Sequence, residues 1–165
     1  MKPILLATDG SPTADAATET AIELAQMLDT DLVIVTVWDI PLGTYVGLGF
    51  GAPFPMNGEL ARLSEADARK ITAEAAARAE EEGVETRCVV LRGMPVEEIC
   101  IAAEQFKPRF VVIGSHGWGA VKRAVFGSVS TGVLHHSRWP VLVVRAAVTA
   151  AEGAVNGTRE RVHLA

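Results

Sequence analysis

The chain has 165 residues, of which 49% are hydrophobic and 21% charged, and its formal net charge is −5. A chain of this length forms one domain and buries roughly 70% of its unfolded surface, so it needs neither a disulfide framework nor a structural metal. The acidic balance argues against nucleic acid as the main partner, because binding to a phosphate backbone requires clustered cations, but it does not exclude a single nucleotide.

The chain opens with a predicted strand and a turn. Residues 4–8 form a continuous apolar run, which suits a strand covered on both faces. Asp9 follows the run, and Ser11 is a good N-cap for a helix that continues to Leu28. The run is too short for a signal peptide or a membrane span, so we expect no membrane partner and a cytoplasmic location.

The remaining pattern alternates strands with helices. Further strands are predicted at residues 32–38, 86–91, 110–113 and 140–144, and further helices at residues 59–82, from Pro95, and at 128–136. In the last helix we expect Val129, Val133 and Leu134 to face the core. A Gly- and Pro-rich stretch at residues 41–58 is predicted to be a long loop. Five strands alternating with four helices predict an α/β fold, a doubly wound parallel sheet with right-handed crossovers.

The two cysteines, Cys88 and Cys100, fall in apolar segments outside any C-x-x-C motif. We expect both to be buried as small hydrophobic residues, and unpaired thiols fit a reducing compartment. His135 and His136 are adjacent, so on a helix they point about 100° apart and cannot chelate one metal ion together. The sequence therefore predicts no metal site.

The fourth predicted strand is followed by a glycine motif. It runs Gly114-x2-Gly117-x9-Gly127-Ser128 and leads into the last helix. A strand that ends in glycines and opens a helix presents backbone N–H groups at one place, as in many phosphate sites. A Cβ atom at Gly117 or Gly127 is expected to block phosphate or strain the backbone. If the first and fourth strands are neighbours, Asp9 and Gly114 share one crevice at the carboxyl ends of the strands.

Three segments resemble the universal stress protein family of the ATP-binding type: residues 4–11 (ILLATDGS), the glycine motif, and residues 140–145 (PVLVVR). The resemblance covers residues 1–145 and leaves residues 146–165 as a C-terminal tail. It implies a single Rossmann-like domain of the adenine nucleotide alpha hydrolase type, with a five-stranded parallel sheet in the order 3-2-1-4-5. It also implies an ATP-binding regulatory protein of the stress response that forms a homodimer along the strand Val141–Val144.

The resemblance also implies roles for particular residues. Asp9 would hydrogen-bond the adenine or ribose, and Ala7, Thr8 and Val37 would line the base. The phosphate side of the site would comprise Gly114, Gly117, Gly127, Ser128, Val129 and Ser130. His116 could contact phosphate or be an exposed side chain, and the basic pair Lys122-Arg123 could compensate the phosphate charge or be solvated. Apart from the resemblance, Mg²⁺ could accompany ATP, held by the phosphates and water, with Asp9 an unconvincing ligand. Trp118 departs from the family, which often has a small, polar or basic residue there.

Three functions remain open from the sequence. The first is the ATP-binding regulator, and the second is an enzyme, a slow ATPase or a protein that autophosphorylates at Ser128 or Ser130. The third is a nucleotide-free dimeric interaction module. The sequence has no G-x4-G-K-[ST] loop, and its glycine motif offers no evident base for an attacking water. These features favour the regulator.

Overall fold

The computed structural model of the protein describes residues 1–38, 58–116 and 126–145. The predicted loop before residue 58, the motif residues Gly117, Trp118, Lys122 and Arg123, and the predicted tail lie outside the described residues. In chain order the described elements are β1 (Ile4–Ala7), α1 (Pro12–Leu28), β2 (Leu32–Trp38), α2 (Gly58–Glu81), β3 (Thr86–Arg92), α3 (Pro95–Phe106), β4 (Val111–Gly114), α4 (Ser128–His136) and β5 (Val141–Val144).

The five strands form one parallel sheet in the order β3-β2-β1-β4-β5, which confirms the predicted fold. In the centre of the sheet, Ala7 of β1 pairs with Val35 of β2 on one side and with Ile113 of β4 on the other. The strand order therefore reverses between β1 and β4. In sheets of this kind, ligands bind outside the carboxyl ends of the strands at such a switch point.

Helices cover both faces of the sheet, which explains why the strands are continuous apolar runs rather than alternating ones. One face packs under α1 and α2 and the other under α3 and α4. Consecutive residues of β1 serve opposite faces, since Leu5 lies in one cluster and Leu6 in the other. Burial of each such side chain contributes about 1.5–3 kcal/mol, so the aliphatic core dominates the stability of the fold.

The helix boundaries follow signals in the sequence. The Ser11 hydroxyl caps α1 by accepting the N–H of Ala14 at 3.3 Å. Helix α2 ends just before Gly83, whose φ of +78° is easily adopted only by glycine. Helix α3 begins at Pro95, which fits the first turn because a residue there has no helical partner for its N–H.

Two predictions about burial are wrong. Val133 is buried in α4 and Val129 is partly buried, but Leu134 is 46% exposed. Adjacent helical residues point about 100° apart, so the narrow face of α4 against the sheet cannot accommodate both Val133 and its neighbour. Cys88 is exposed and Cys100 only partly buried. Cys88 lies on β3, an edge strand that pairs on one side only among the described residues.

The two thiols are nevertheless poorly ionised. Partial burial of the sulphur and the nearby charge of Glu80 raise the pKa of Cys88. Partial burial and Glu104 raise the pKa of Cys100 in the same way. Since the thiolate is the reactive form, both cysteines are weak nucleophiles at neutral pH.

Candidate functional site

The carboxyl ends of β1 and β4 bring the two halves of the predicted site together. Asp9 follows β1 after one residue, Gly114 is the last residue of β4, and the two strands are paired. Thr8 is buried and donates its N–H to the carbonyl of Val35 at 3.0 Å, which continues the sheet beyond β1. The structure therefore places Asp9 and Gly114 at the same edge, as the sequence predicts.

The turn after β1 is fixed by its own side chains. The Asp9 carboxylate accepts the N–H of Ser11 at 3.0 Å, and the Thr8 hydroxyl accepts the N–H of Gly10 at 3.3 Å. Gly10 has φ +70°, and a Cβ atom there would lie 3.0 Å from the Ile71 side chain of α2. Asp9 itself remains exposed, so its carboxylate is oriented by the turn and still accessible to solvent.

Two residues predicted to line the base lie on one face of the sheet. Ala7 belongs to the cluster under α3 and α4, and Val37, near the end of β2, packs against the same cluster. Ala7 is buried and Val37 partly buried. The face that carries them is also the face covered by α4.

Gly114 has a packing role that differs from the predicted one. A Cβ atom there would lie 2.8 Å from both the carbonyl carbon and the oxygen of Thr13, and 2.9 Å from the N atom of Ala14. These are backbone atoms of the first turn of α1, so they could move away only if the helix itself shifted. Glycine at this position therefore allows α1 to approach the end of β4 closely.

Ser115 connects three elements, and the sequence analysis did not identify it. Its N–H donates to the carbonyl of Val144 at 2.7 Å, and its own carbonyl accepts the N–H of Gly127 at 2.7 Å and the hydroxyl of Ser130 at 3.0 Å. Ser115 is 2% exposed. A polar residue directly after a buried strand must find partners, and this was the signal that could have identified it.

The amino end of α4 is the strongest candidate for an anion site. Gly127 is its N-cap residue and provides no side-chain hydrogen bond to the first turn. The amides of Ser128, Val129 and Ser130 in that turn are therefore not satisfied by the cap. These amides and the helix dipole favour a negative group here.

Gly127 is not strained, so of the two effects expected of a Cβ atom there, backbone strain does not arise. Its φ is −72°, which any residue adopts, and a Cβ atom would lie 3.4 Å from the Cα of His116 and the carbonyl oxygen of Ser115. Its amide is also bonded to Ser115 and is not available to a ligand. The amides that point beyond the helix are those that follow Gly127.

Two further side chains lie at this edge. The carbonyl of His116 accepts hydrogen bonds from the hydroxyls of Ser11, at 3.3 Å, and Thr13, and its imidazole Nδ1 is 3.1 Å from the Ser115 hydroxyl. The guanidinium of Arg145, directly after β5, lies 5.5 Å from the centre of the Phe126 ring. Arg145 places a positive charge close to the start of α4, a contribution that the sequence analysis did not assign.

In the part of the chain that the structure describes, no cluster of three His, Cys, Asp or Glu side chains is arranged to hold a metal ion. None of the described helices combines the length and the apolar character needed to cross a membrane. A depression of about 430 Å³ opens between Glu80 and Thr86, at the amino end of β3, and so lies at the opposite edge of the sheet from Asp9 and α4.

Sequence comparisons identify relatives along most of the chain. The model of the universal stress protein family matches residues 1–145. A universal stress protein of Methanocaldococcus jannaschii is 32% identical over 144 residues, which are 87% of this chain and 82% of that protein. One of Thermus aquaticus is 37% identical over 145 residues, with coverage of 87% and 98%. A Mycobacterium tuberculosis relative, 32% identical over 146 residues (87% of this chain), is longer, and the chain spans 45% of its length.

Solved structures share the fold. The universal stress protein UspA of Lactobacillus plantarum superposes with a TM-score of 0.74 at 24% identity, covering 87% of this chain and 97% of its own. An Arabidopsis thaliana family member with AMP bound has a TM-score of 0.65 at 19% identity and coverage of 90% and 94%. An Archaeoglobus fulgidus universal stress protein in complex with dAMP has a TM-score of 0.61 at 20% identity and coverage of 87% and 98%. From the family model and the sequence relatives, this chain belongs to the universal stress protein family.

Proposed function

We propose that this protein binds an adenine nucleotide at the carboxyl edge of β1 and β4. The base and ribose lie beside Asp9, Ala7, Thr8 and Val37, and the phosphates lie at the amino end of α4. The observation that carries the proposal is the first turn of α4, which receives no side-chain hydrogen bond from its N-cap Gly127 and lies beside the switch point of the sheet. A helix amino end at such a place is a ready phosphate site.

The hydrogen bonds of the serines indicate which of their groups can bind phosphate. Ser130 is 2% exposed, and its hydroxyl is directed to the carbonyls of Ser115 and Gly127, so its amide is the group it offers to phosphate. Ser128 is exposed and offers both an amide and a hydroxyl, and Val129 offers an amide. We assign the adjoining wall to the backbone around Gly114, His116 and Gly127, and Gly117, which lies outside the described residues, is kept on the phosphate side from the family resemblance.

The negative charge of Asp9 indicates which part of the nucleotide lies beside it. A carboxylate close to phosphates would repel them, so Asp9 is suited to the ribose hydroxyls, which donate hydrogen bonds. Its exposure at the end of β1 and its orientation by the turn support this role. The AMP and dAMP held by the two structural neighbours support an adenine nucleotide in this fold.

The finer proposal is an ATP-binding regulatory protein of the stress response. ATP is bound with Mg²⁺ coordinated by the phosphates and water, and the protein acts in the cytoplasm as a homodimer paired through β5. The alternative of an enzyme gains no support from the described residues, because no side chain with an evident role as a base lies beside α4 apart from the ring of His116. One nitrogen of that ring, Nδ1, lies 3.1 Å from the Ser115 hydroxyl, and the measurement of phosphate release tests the enzyme directly.

The proposal is tested by mass spectrometry of the denatured purified protein and by calorimetric titration with ATP and AMP. We expect bound adenine nucleotide, and we expect Ser128→Asp to weaken ATP binding at least about tenfold because a carboxylate would occupy the amide site. An acidic residue in the first turn suits the helix, so folding is retained. Gln105→Asp, which adds the same charge on an exposed position of α3, is the control.

The possible outcomes separate the functions. ADP together with measurable release of phosphate would favour the enzyme over the regulator. Absence of bound nucleotide, combined with no heat of binding for either ATP or AMP, would refute nucleotide binding and favour an interaction module.

A further inference from the structure

The first turn of α1 is hydrogen-bonded to the segment that follows β4, more than a hundred residues later in the chain. The hydroxyl of Thr13 donates to the carbonyl of His116, and the Ser11 hydroxyl reaches the same oxygen at 3.3 Å. Gly114 permits this contact, because any side chain there would collide with the backbone of Thr13. The contact therefore depends on the pairing of β1 with β4 and on a glycine at the end of β4.

His116 in turn lies against the start of α4. Its Cα is 3.4 Å from the position that a Cβ atom of Gly127 would take, and the preceding carbonyl, that of Ser115, accepts the Gly127 amide at 2.7 Å. A continuous set of backbone contacts thus leads from α1 through residues 114–116 to the N-cap of α4. We call this set the α1–α4 junction.

We propose that Thr13 is a positioning residue for the phosphate side of the nucleotide site, an inference that rests on the proposed function. Its hydroxyl holds the carbonyl of His116 in place, and the backbone of residues 115–116 holds Gly127 and the first amides of α4. Thr13 itself does not touch the nucleotide. Loss of its hydroxyl leaves the carbonyl of His116 with the longer contact to Ser11, so the start of α4 is held less firmly.

Thr13 is more informative than Ser11 as a test of the junction. The Ser11 hydroxyl also caps α1 by accepting the amide of Ala14, so replacing Ser11 would change α1 itself. Thr13 is the second residue of α1, and its hydroxyl donates its proton outside that helix, to the carbonyl of His116, while it also lies 3.4 Å from the Ser11 hydroxyl. Valine has nearly the same shape as threonine, so Thr13→Val removes the hydroxyl with little change in packing.

The chain provides a matched control on the same helix. The Thr20 hydroxyl donates to the carbonyl of Ala16 at 2.9 Å, entirely within α1. Thr20→Val therefore removes a hydroxyl from α1 without affecting the junction. Thr13→Ser restores the hydroxyl and is the rescue variant.

The first measurement needs no nucleotide. Amide hydrogen exchange in the intact 165-residue chain, followed residue by residue by NMR, reports how firmly the Gly127 N–H is held. We expect Thr13→Val to accelerate exchange at Gly127 about five- to tenfold, the scale expected for one hydrogen bond, while Thr20→Val leaves it unchanged. Unchanged exchange at Gly127 in Thr13→Val would overturn the inference.

The second measurement is calorimetric binding of ATP. We expect Thr13→Val to weaken ATP about five- to tenfold and Thr13→Ser to recover most of the loss. In a double-mutant cycle, Thr13→Val should be non-additive with Ser128→Ala, on the phosphate side, and additive with Asp9→Asn, on the base side. A purely structural role for Thr13 would not produce this difference.

The outcomes distinguish this inference from the function on which it rests. Wild-type protein that binds neither ATP nor AMP would overturn the proposed function. Wild-type protein that binds ATP, together with a Thr13→Val variant of equal affinity, would overturn only the role of Thr13.

Discussion

At the scale of single residues, the carboxylate of Asp9 combines a structural and a proposed functional role. It accepts the amide of Ser11 and so shapes the turn into α1, yet it stays exposed at the edge where the nucleotide is proposed to bind. The two roles require different properties of the Asp9 side chain. The turn needs only an acceptor oxygen, whereas the ribose contact gains strength from the negative charge.

Asparagine separates these roles. We expect Asp9→Asn to keep the turn, since its amide oxygen can accept the Ser11 N–H, and to lower ATP affinity by roughly 1–3 kcal/mol through loss of the charged hydrogen bond. Asp9→Ala should lose similar affinity and also about 1 kcal/mol of stability. Calorimetry and thermal unfolding measure the two quantities. Wild-type affinity in Asp9→Asn would show that the charge plays no part in binding.

At the scale of elements, α4 is a short helix that depends on its neighbours for its position. It has nine residues, too few to be stable alone, and it is held at its start by Ser115 and along its side by α3. Gly132 makes the second contact possible. A Cβ atom there would lie 2.6 Å from Cγ2 and 3.0 Å from Cγ1 of Val96.

At Gly132, helix propensity and the contact with Val96 have opposite effects on the stability expected of an alanine variant. Alanine is the better helix former by about 1 kcal/mol, but the collision with Val96 should outweigh it, so Gly132→Ala is expected to destabilise the protein by about 1–2 kcal/mol. In a Val96→Ala background the same change should be neutral or stabilising. Urea unfolding of the four proteins measures the coupling, and simple additivity would contradict the proposed contact.

At the scale of the whole molecule, β5 is an edge strand, with no strand of the described residues paired on its outer side. Leu142, in its centre, is 39% exposed, while Val141 and Val143 are partly buried against the core. Proteins seldom leave such an edge unprotected, because it can pair with another chain. Pairing of β5 with a second copy would cover it, which supports the proposed homodimer.

A charge at this edge tests the dimer. We expect the wild-type protein to be dimeric at micromolar concentration by multi-angle light scattering, and Leu142→Lys to shift it towards the monomer because a buried unpaired ammonium group is costly. Leu134→Lys is the matched control, since Leu134 is also exposed but lies on α4 and not on the edge strand. A monomeric wild-type protein would contradict the proposal, and so would equal effects of the two substitutions.

The order of the elements and most of their limits could be predicted from local sequence signals. The strand Leu32–Trp38 and the helix Ser128–His136 have the predicted limits, and β4 begins one residue later than predicted. These elements are set by apolar runs, caps and helix-breaking residues, which act over a few positions. The burial of Leu134 and Cys88 was predicted wrongly, because exposure depends on how wide a face the neighbouring elements cover.

By itself, the sequence determined the α/β class, the sheet order implied by the family resemblance, and the presence of Asp9 and the glycine motif at strand ends. Only the tertiary structure showed what two of the glycines contribute: Gly114 leaves room for the backbone of α1, and the amide of Gly127 is bonded to the carbonyl of Ser115. Only the fold also revealed the contact between Thr13 and His116. The physical reason is distance along the chain, since local signals act over a few residues, whereas these contacts join residues that only the paired strands bring together.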